Sequence, residues 1–66
     1  MKIIVNGEER EIAPGTTLEQ LLLLLGLDRG SVAIEVNGAL VSRSRYAERA
    51  LQPEERLEIV TFVGGG

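Results

Sequence analysis

Two Asn-Gly pairs restrict the folds open to this chain more than any other feature of its sequence. Asn6-Gly7 and Asn37-Gly38 each lie between two runs of residues that suit β-strands. Both central residues of a type I′ turn need positive φ, and the Asn-Gly pair meets that requirement best. The sequence therefore predicts two β-hairpins, one at the start of the chain and one in its second half.

The hairpins and a late apolar run predict five strands, which we place at 2–6, 8–13, 32–36, 39–41 and 57–63. The first and last strands are apolar on both faces for most of their length, which indicates central positions in a sheet. We expect these two strands to pair in parallel. A parallel pair needs a crossover connection, and a helix between them supplies it.

The segment 18–25 is predicted to be that helix. Either Thr16 with Glu19 or Thr17 with Gln20 fits a capping box at its start. Four leucines spaced i, i+3, i+4 and i+7 form its predicted buried stripe: Leu18, Leu21, Leu22 and Leu25.

Two further leucines of this helix, Leu23 and Leu24, lie off the buried stripe. They are interpreted as excess leucine on a core helix. The alternative is that Leu23 or Leu24 forms an exposed contact patch. Neither interpretation changes the predicted helix.

The polar segment 42–51 carries Tyr46, Ala47 and Leu51, which would cover the core if one or two helical turns formed there. The predicted fold is a two-layer α+β domain, with a mixed five-stranded sheet packed on one main helix and a short second helix. The domain is placed at residues 1–63, followed by a flexible glycine tail at 64–66.

Composition excludes several classes of protein. The 66 residues contain no cysteine and no histidine, which excludes disulfides, thiolate or histidine zinc sites and a histidine-based triad. The net charge of −3 without a basic cluster argues against nucleic-acid binding. No apolar run approaches the roughly 20 residues that span a bilayer, and the start of the chain does not suit a signal peptide. A cytoplasmic protein with no membrane partner is the expectation.

The tail Gly64-Gly65-Gly66 follows directly on the predicted final strand. Glycine loses more conformational freedom on ordering than any other residue, so such a tail contributes nothing to folding. It does form a thin arm that ends in a carboxylate. No pair of residues is suited to act as nucleophile and base, so we expect no catalytic residue and no metal or cofactor site. The rest of the chain is interpreted as a domain that holds and presents this arm.

Alternation along the strands places Ile4, Val60 and Phe62 on the sheet face opposite the helix. An apolar cluster beside the tail predicts a surface for partner docking. The alternative is a scatter of exposed apolar residues, which is normal on any protein. The carboxylates of Glu54, Glu55 and Glu58 are interpreted as solvated. The alternative is that they pair with basic residues on a partner.

Three segments together carry a resemblance to a known family: Met1–Gly7, Val36–Val41 and Phe62–Gly66. In their order, in the shortness of the chain and in the terminal glycines, they resemble the ThiS family, the small sulfur carrier proteins of thiamin biosynthesis. The resemblance covers essentially the whole chain. It implies a ubiquitin-like β-grasp fold.

The resemblance also implies a function for Gly66. A ThiF-type E1-like adenylating enzyme would use ATP and Mg²⁺ to adenylate its carboxylate. A sulfur donor such as a cysteine desulfurase would then convert it to a thiocarboxylate, and a ThiG-type thiazole synthase would receive the sulfur. Gly65 corresponds to the neighbour of the modified residue, and Gly64 adds reach.

Other functions remain open at this point. Within the same chemistry they are a molybdopterin synthase small subunit and a sulfur carrier for tRNA thiolation or cysteine synthesis. Outside it they are a non-covalent ubiquitin-like interaction domain and a protein modifier joined through an isopeptide bond.

Overall fold

A computed structural model describes residues 1–62, and its strands form one five-stranded mixed sheet in the order β2-β1-β5-β3-β4. The elements in chain order are β1 (Lys2–Val5), β2 (Glu8–Glu11), α1 (Leu18–Leu25), a 3₁₀ turn (Arg29–Ser31), β3 (Val32–Val36), β4 (Ala39–Val41), a 3₁₀ turn (Arg43–Arg45) and β5 (Arg56–Thr61). Residues 63–66 lie outside the described range, so the predicted boundary of the domain at residue 63 and the tail at 64–66 stay predictions.

Both predicted hairpins are confirmed. Asn6 and Asn37 have φ of 50° and 52°, and the glycine that follows each has φ of 83° and 85°. The first hairpin is shorter than predicted. Because Asn6 adopts the turn conformation, β1 ends at Val5. β2 ends at Glu11, whose partner is Lys2. Beyond this pair, Met1 and Ile12 still exchange two backbone hydrogen bonds, at 2.7 and 2.9 Å.

The parallel pairing of the first and last strands is also confirmed. β1 and β5 are neighbours in parallel, with Ile4 opposite Arg56. On its other side β5 pairs antiparallel with β3 over five residues, from Val36–Leu57 to Val32–Thr61. β5 therefore lies at the centre of the sheet and runs towards the end of the chain.

Helix α1 begins and ends as its sequence predicts, and the structure decides between the two possible caps. Thr17 is the N-cap, and its side chain and that of Gln20 form the reciprocal hydrogen bonds of a capping box. Thr16 instead donates its hydroxyl to the carbonyl of Ala13 at 2.7 Å. At the other end Gly26 adopts φ of 72°, and the N–H of Leu27 bonds to the Leu22 carbonyl, which completes a Schellman cap.

The core lies between α1 and one face of the sheet. Of the predicted helical stripe, Leu18, Leu21 and Leu22 are buried, whereas Leu25 is half-buried and packs against the edge of the core. The largest fully buried side chains are Tyr46, Ile3, Leu18, Leu21, Leu22, Ile34, Leu51, Leu57 and Val32. Leu23 and Leu24 are exposed, as expected for residues off the stripe.

The predicted second helix is a single 3₁₀ turn, Arg43–Arg45. The backbone carbonyls of Tyr46 and Arg49 accept hydrogen bonds from Glu19 and Leu18, at the start of α1. These carbonyls therefore satisfy the free N–H groups of α1 and do not build a longer helix of their own. Tyr46 is buried as predicted, but Ala47 is exposed and does not cover the core.

Candidate functional site: the outer sheet face beside the chain end

The side chains of β5 alternate between the core and the outer face of the sheet. Leu57 and Ile59 are buried against the core, whereas Val60 and Phe62 are exposed by 57% and 51%. Since β5 is the last described strand, these two exposed apolar side chains are the last on the outer face before residues 63–66. The predicted facing of this strand is confirmed.

Ile4 lies on the same face but apart from Val60. Its partner on β5 is Arg56, four positions before Val60. Four residues of strand span about 13 Å. Ile4 is also half-buried. The structure therefore brings Val60 and Phe62 together, but it does not bring Ile4 into contact with them.

Two residues that the sequence analysis missed extend the apolar surface on the other side of β5. Ala33 on β3 is the direct partner of Val60. Leu40 on β4 lies opposite Glu35 and is 71% exposed. We name the four residues Ala33, Leu40, Val60 and Phe62 the sheet-face patch. The position of Leu40 could have been found from the sequence, because the two-residue Asn37-Gly38 turn sets the register that places Leu40 opposite Glu35.

A cation borders the sheet-face patch. The Arg43 guanidinium carbon lies 5.9 Å from the centre of the Phe62 ring, within the range of a cation–π interaction. Arg43 also donates through Nη2 to the carbonyl of Val32 at 3.4 Å. Arg43 therefore lies over the Phe62 ring, which is still 51% exposed.

The carboxylates near this end of the chain have three different environments. Glu58 is exposed on the outer face, and Glu54 is exposed and pairs with Lys2 at 3.6 Å. Glu55 is buried, so it is neither solvated nor able to pair with a partner, and both sequence interpretations are wrong for it. Its carboxylate binds Arg49 at 2.7 Å, the N–H of Gln52 at 2.8 Å and the side-chain amide of Asn37 at 3.2 Å.

The pKa of Glu55 reflects this environment. Burial on its own raises the pKa, but the hydrogen bonds from Arg49, Gln52 and Asn37 and the charge of Arg49 together outweigh burial. The pKa therefore lies below its ordinary value. Glu55 is a structural anion that fixes the turn leading into β5.

Gly64, Gly65 and Gly66, which the sequence predicts as tail and modified residue, lie outside the described residues. Within residues 1–62 no three potential ligands come together as a metal site. None of the helices in that range has the length and apolar character needed to cross a membrane.

Known proteins resemble the chain over its whole length. A family model described as the ThiS family matches residues 3–66. The chain is 47% identical over 66 residues to a thiazole synthase of Paramagnetospirillum magneticum, and it is 35% identical over 63 residues to the sulfur carrier protein ThiS of Bacillus subtilis. The alignment with the thiazole synthase includes 100% of this chain and 20% of that protein. The alignment with the Bacillus subtilis ThiS includes 94% of this chain and 96% of that protein.

Among solved structures, it matches the crystal structure of a thiamine biosynthesis protein (ThiS) from Geobacter metallireducens. The TM-score is 0.84, the sequences are 26% identical, and each chain is covered completely. The ubiquitin-like fold expected from the sequence is thereby confirmed.

Proposed function

The chain belongs to the ThiS family of sulfur carriers, and on that premise we propose that its Gly66 carboxylate is adenylated and converted to a thiocarboxylate, whose sulfur is donated for thiazole formation in thiamin biosynthesis. The observation that carries this proposal is the match of the family model to residues 3–66, which includes the three glycines. In this proposal the chain is a substrate of other enzymes and has no catalytic residue of its own.

Adenylation is the chemically sensible first step. A carboxylate is a poor electrophile because its oxygen is a poor leaving group. Attack of the Gly66 carboxylate on the α-phosphorus of MgATP, held by a ThiF-type enzyme, gives an acyl-adenylate and releases pyrophosphate. The terminal sulfur of a persulfide, formed by a cysteine desulfurase, then attacks the carbonyl carbon and expels AMP. Thiol reduction of the S–S bond leaves the thiocarboxylate.

The described residues contribute presentation and docking. β3 pairs with β5 as far as Thr61, whereas β1 pairs with its first two residues, and β5 runs towards residue 63. Rigid support up to Thr61 reduces the entropy lost when an enzyme binds the glycines. The absence of side chains on Gly65 and Gly66 lets a narrow channel close around the reacting carbon and exclude water. The sheet-face patch is the proposed docking surface, centred on Val60 and Phe62. Ile4, about 13 Å from Val60 on the same face, is proposed as a separate contact outside this patch.

Thiazole synthase is the proposed sulfur acceptor. The chain spans about one fifth of the length of the thiazole synthase relatives it matches. Each of these relatives contains a segment similar to this chain and a longer remainder. This combination supports a ThiG-type partner rather than a partner in the molybdopterin pathway. The activity of those longer proteins is proposed for the partner and not for this chain.

Reconstitution tests the proposal. The chain is incubated with MgATP, a ThiF-type enzyme, a cysteine desulfurase, cysteine and a thiol reductant, and its intact mass is measured. A gain of about 16 Da, for oxygen replaced by sulfur, is expected. A variant that ends at Gly65 is the matched control and should not support growth of a thiamin auxotroph. An unchanged mass, or full growth with the shortened variant, would overturn the proposal. Growth restored by molybdenum cofactor instead of thiazole would assign the other pathway.

A further inference from the structure

Two carboxylates lie opposite each other on the outer face of the sheet, one on β3 and one on β5. In the β3–β5 register, Glu35 is the direct partner of Glu58, and both side chains are exposed. Residues directly opposite on antiparallel strands have Cβ atoms about 4.5–5.5 Å apart. Like charges in that position repel each other and destabilise the sheet, so the pair does not serve the fold.

No cation within residues 1–62 forms an ion pair with either carboxylate. None of the ion pairs found among residues 1–62 includes Glu35 or Glu58. Of the cations on the outer face, Lys2 is engaged with Glu9 and Glu54, and Arg43 lies over the Phe62 ring. Arg56 precedes Glu58 by two positions on the same strand, and it too forms no ion pair with the two carboxylates.

Apolar side chains flank the two carboxylates and join them to the sheet-face patch. Leu40 is the cross-strand partner of Glu35, and Val60 follows Glu58 two positions later on the same face. A partner that covers the patch therefore covers the carboxylates as well. Covering two like charges without a counter-ion removes their hydration and leaves their repulsion uncompensated, which opposes binding.

We propose that the adenylating enzyme seats a basic side chain between Glu35 and Glu58, and that this carboxylate pair selects an apolar partner surface carrying a central arginine or lysine. Arginine suits the site best because its planar guanidinium offers donors to two carboxylates at once. The identity of the partner rests on the proposed function, whereas the charge recognition rests on the β3–β5 register. The pair weakens the free protein and strengthens the complex.

Direct binding tests this inference without requiring any chemistry on the tail. The dissociation constant of the chain for a ThiF-type enzyme is measured without ATP, for wild type and for Glu35→Gln and Glu58→Gln. Each substitution is expected to weaken binding by about ten-fold and to flatten its dependence on salt. Neither should lower the urea midpoint of unfolding, because each relieves a repulsion.

Glu8→Gln is the matched control. Glu8 is exposed, and its partner Val5 faces the core, which places Glu8 on the opposite face of the sheet. It should leave the affinity unchanged. Equal affinity of all variants, an equal loss with Glu8→Gln, or no measurable binding by wild type would overturn the inference. If the wild-type chain binds but its mass does not change in the reconstituted reaction, the proposed function fails and the charge recognition stands.

Discussion

The side-chain amide of Asn6 makes two hydrogen bonds to the backbone of Ile59. Its Nδ2 donates to the Ile59 carbonyl at 3.1 Å, and the Ile59 N–H donates to its Oδ1 at 2.7 Å. The parallel ladder between β1 and β5 ends at the bond from the Asn6 N–H to the Leu57 carbonyl, because the chain then turns away. The Asn6 side chain takes the place of the next β1 residue and extends the support of β5 towards the chain end.

Asn6→Asp is expected to lower the free energy of unfolding by about 1–3 kcal/mol, because a carboxylate oxygen would face the Ile59 carbonyl with no donor between them. Aspartate tolerates positive φ much as asparagine does, so the turn itself survives. Urea unfolding followed by circular dichroism measures the change. Asn6→Gly, which keeps the turn but removes both bonds, should also destabilise the fold. A wild-type urea midpoint for both variants would show that the bonds contribute nothing.

Local signals predicted the hairpins and α1 from the sequence. The Asn-Gly pairs and the capping box act within a few residues, so each is visible in a short window. The bonds between Asn6 and Ile59 join residues 53 positions apart and depend on the register between β1 and β5, which no short window contains.

The candidate site shows the same limit. Alternation gave the correct face for Ile4, but its distance from Val60 depends on how far β5 runs past the end of β1. Glu55 follows Glu54 in a charged turn, and only the meeting of Arg49 and Asn37 at that turn makes it a buried anion. Leu40 could have been found from the sequence, because the predicted turn fixes its register.

Glu54→Gly is expected to stabilise the protein. Glu54 follows Pro53 and has φ of 67°, a left-handed conformation that costs a residue with a side chain about 1–2 kcal/mol and costs glycine almost nothing. The substitution also removes the exposed pair with Lys2, which contributes little. The net gain should be about 0.5–1 kcal/mol in urea unfolding. Glu54→Ala is the control, since it removes the same pair but keeps the strain. A Glu54→Gly variant no more stable than Glu54→Ala would contradict this account.

Glu55→Gln should change how stability depends on pH. The pKa of Glu55 in the folded protein lies below its ordinary value of 4.5, so the carboxylate contributes stability that is present above pH 4.5. This contribution is lost as the pH falls below 4.5 through the folded pKa. Glu55→Gln should therefore be clearly less stable than wild type at pH 7, and the difference should narrow below pH 4.5. Glu54→Gln, the same change one residue earlier in an exposed position, should not show this convergence. Parallel stability curves for wild type and Glu55→Gln across this range would refute the assignment.

Phe62→Asp separates docking from folding. Phe62 is 51% exposed, so the substitution should change the free energy of unfolding by less than about 1 kcal/mol. It places a charge in the centre of the sheet-face patch and removes the ring beneath Arg43. We therefore expect the KM of the adenylating enzyme for the chain, measured by pyrophosphate release, to rise about ten-fold or more.

Leu24→Asp is the control for this prediction, because Leu24 is 71% exposed on α1, across the core from the outer sheet face. It should leave the KM unchanged. A large loss of stability in Phe62→Asp would show that the ring belongs to the core. An unchanged KM with intact folding would instead remove Phe62 from the docking surface and leave Leu40 and Val60 as the residues to test next.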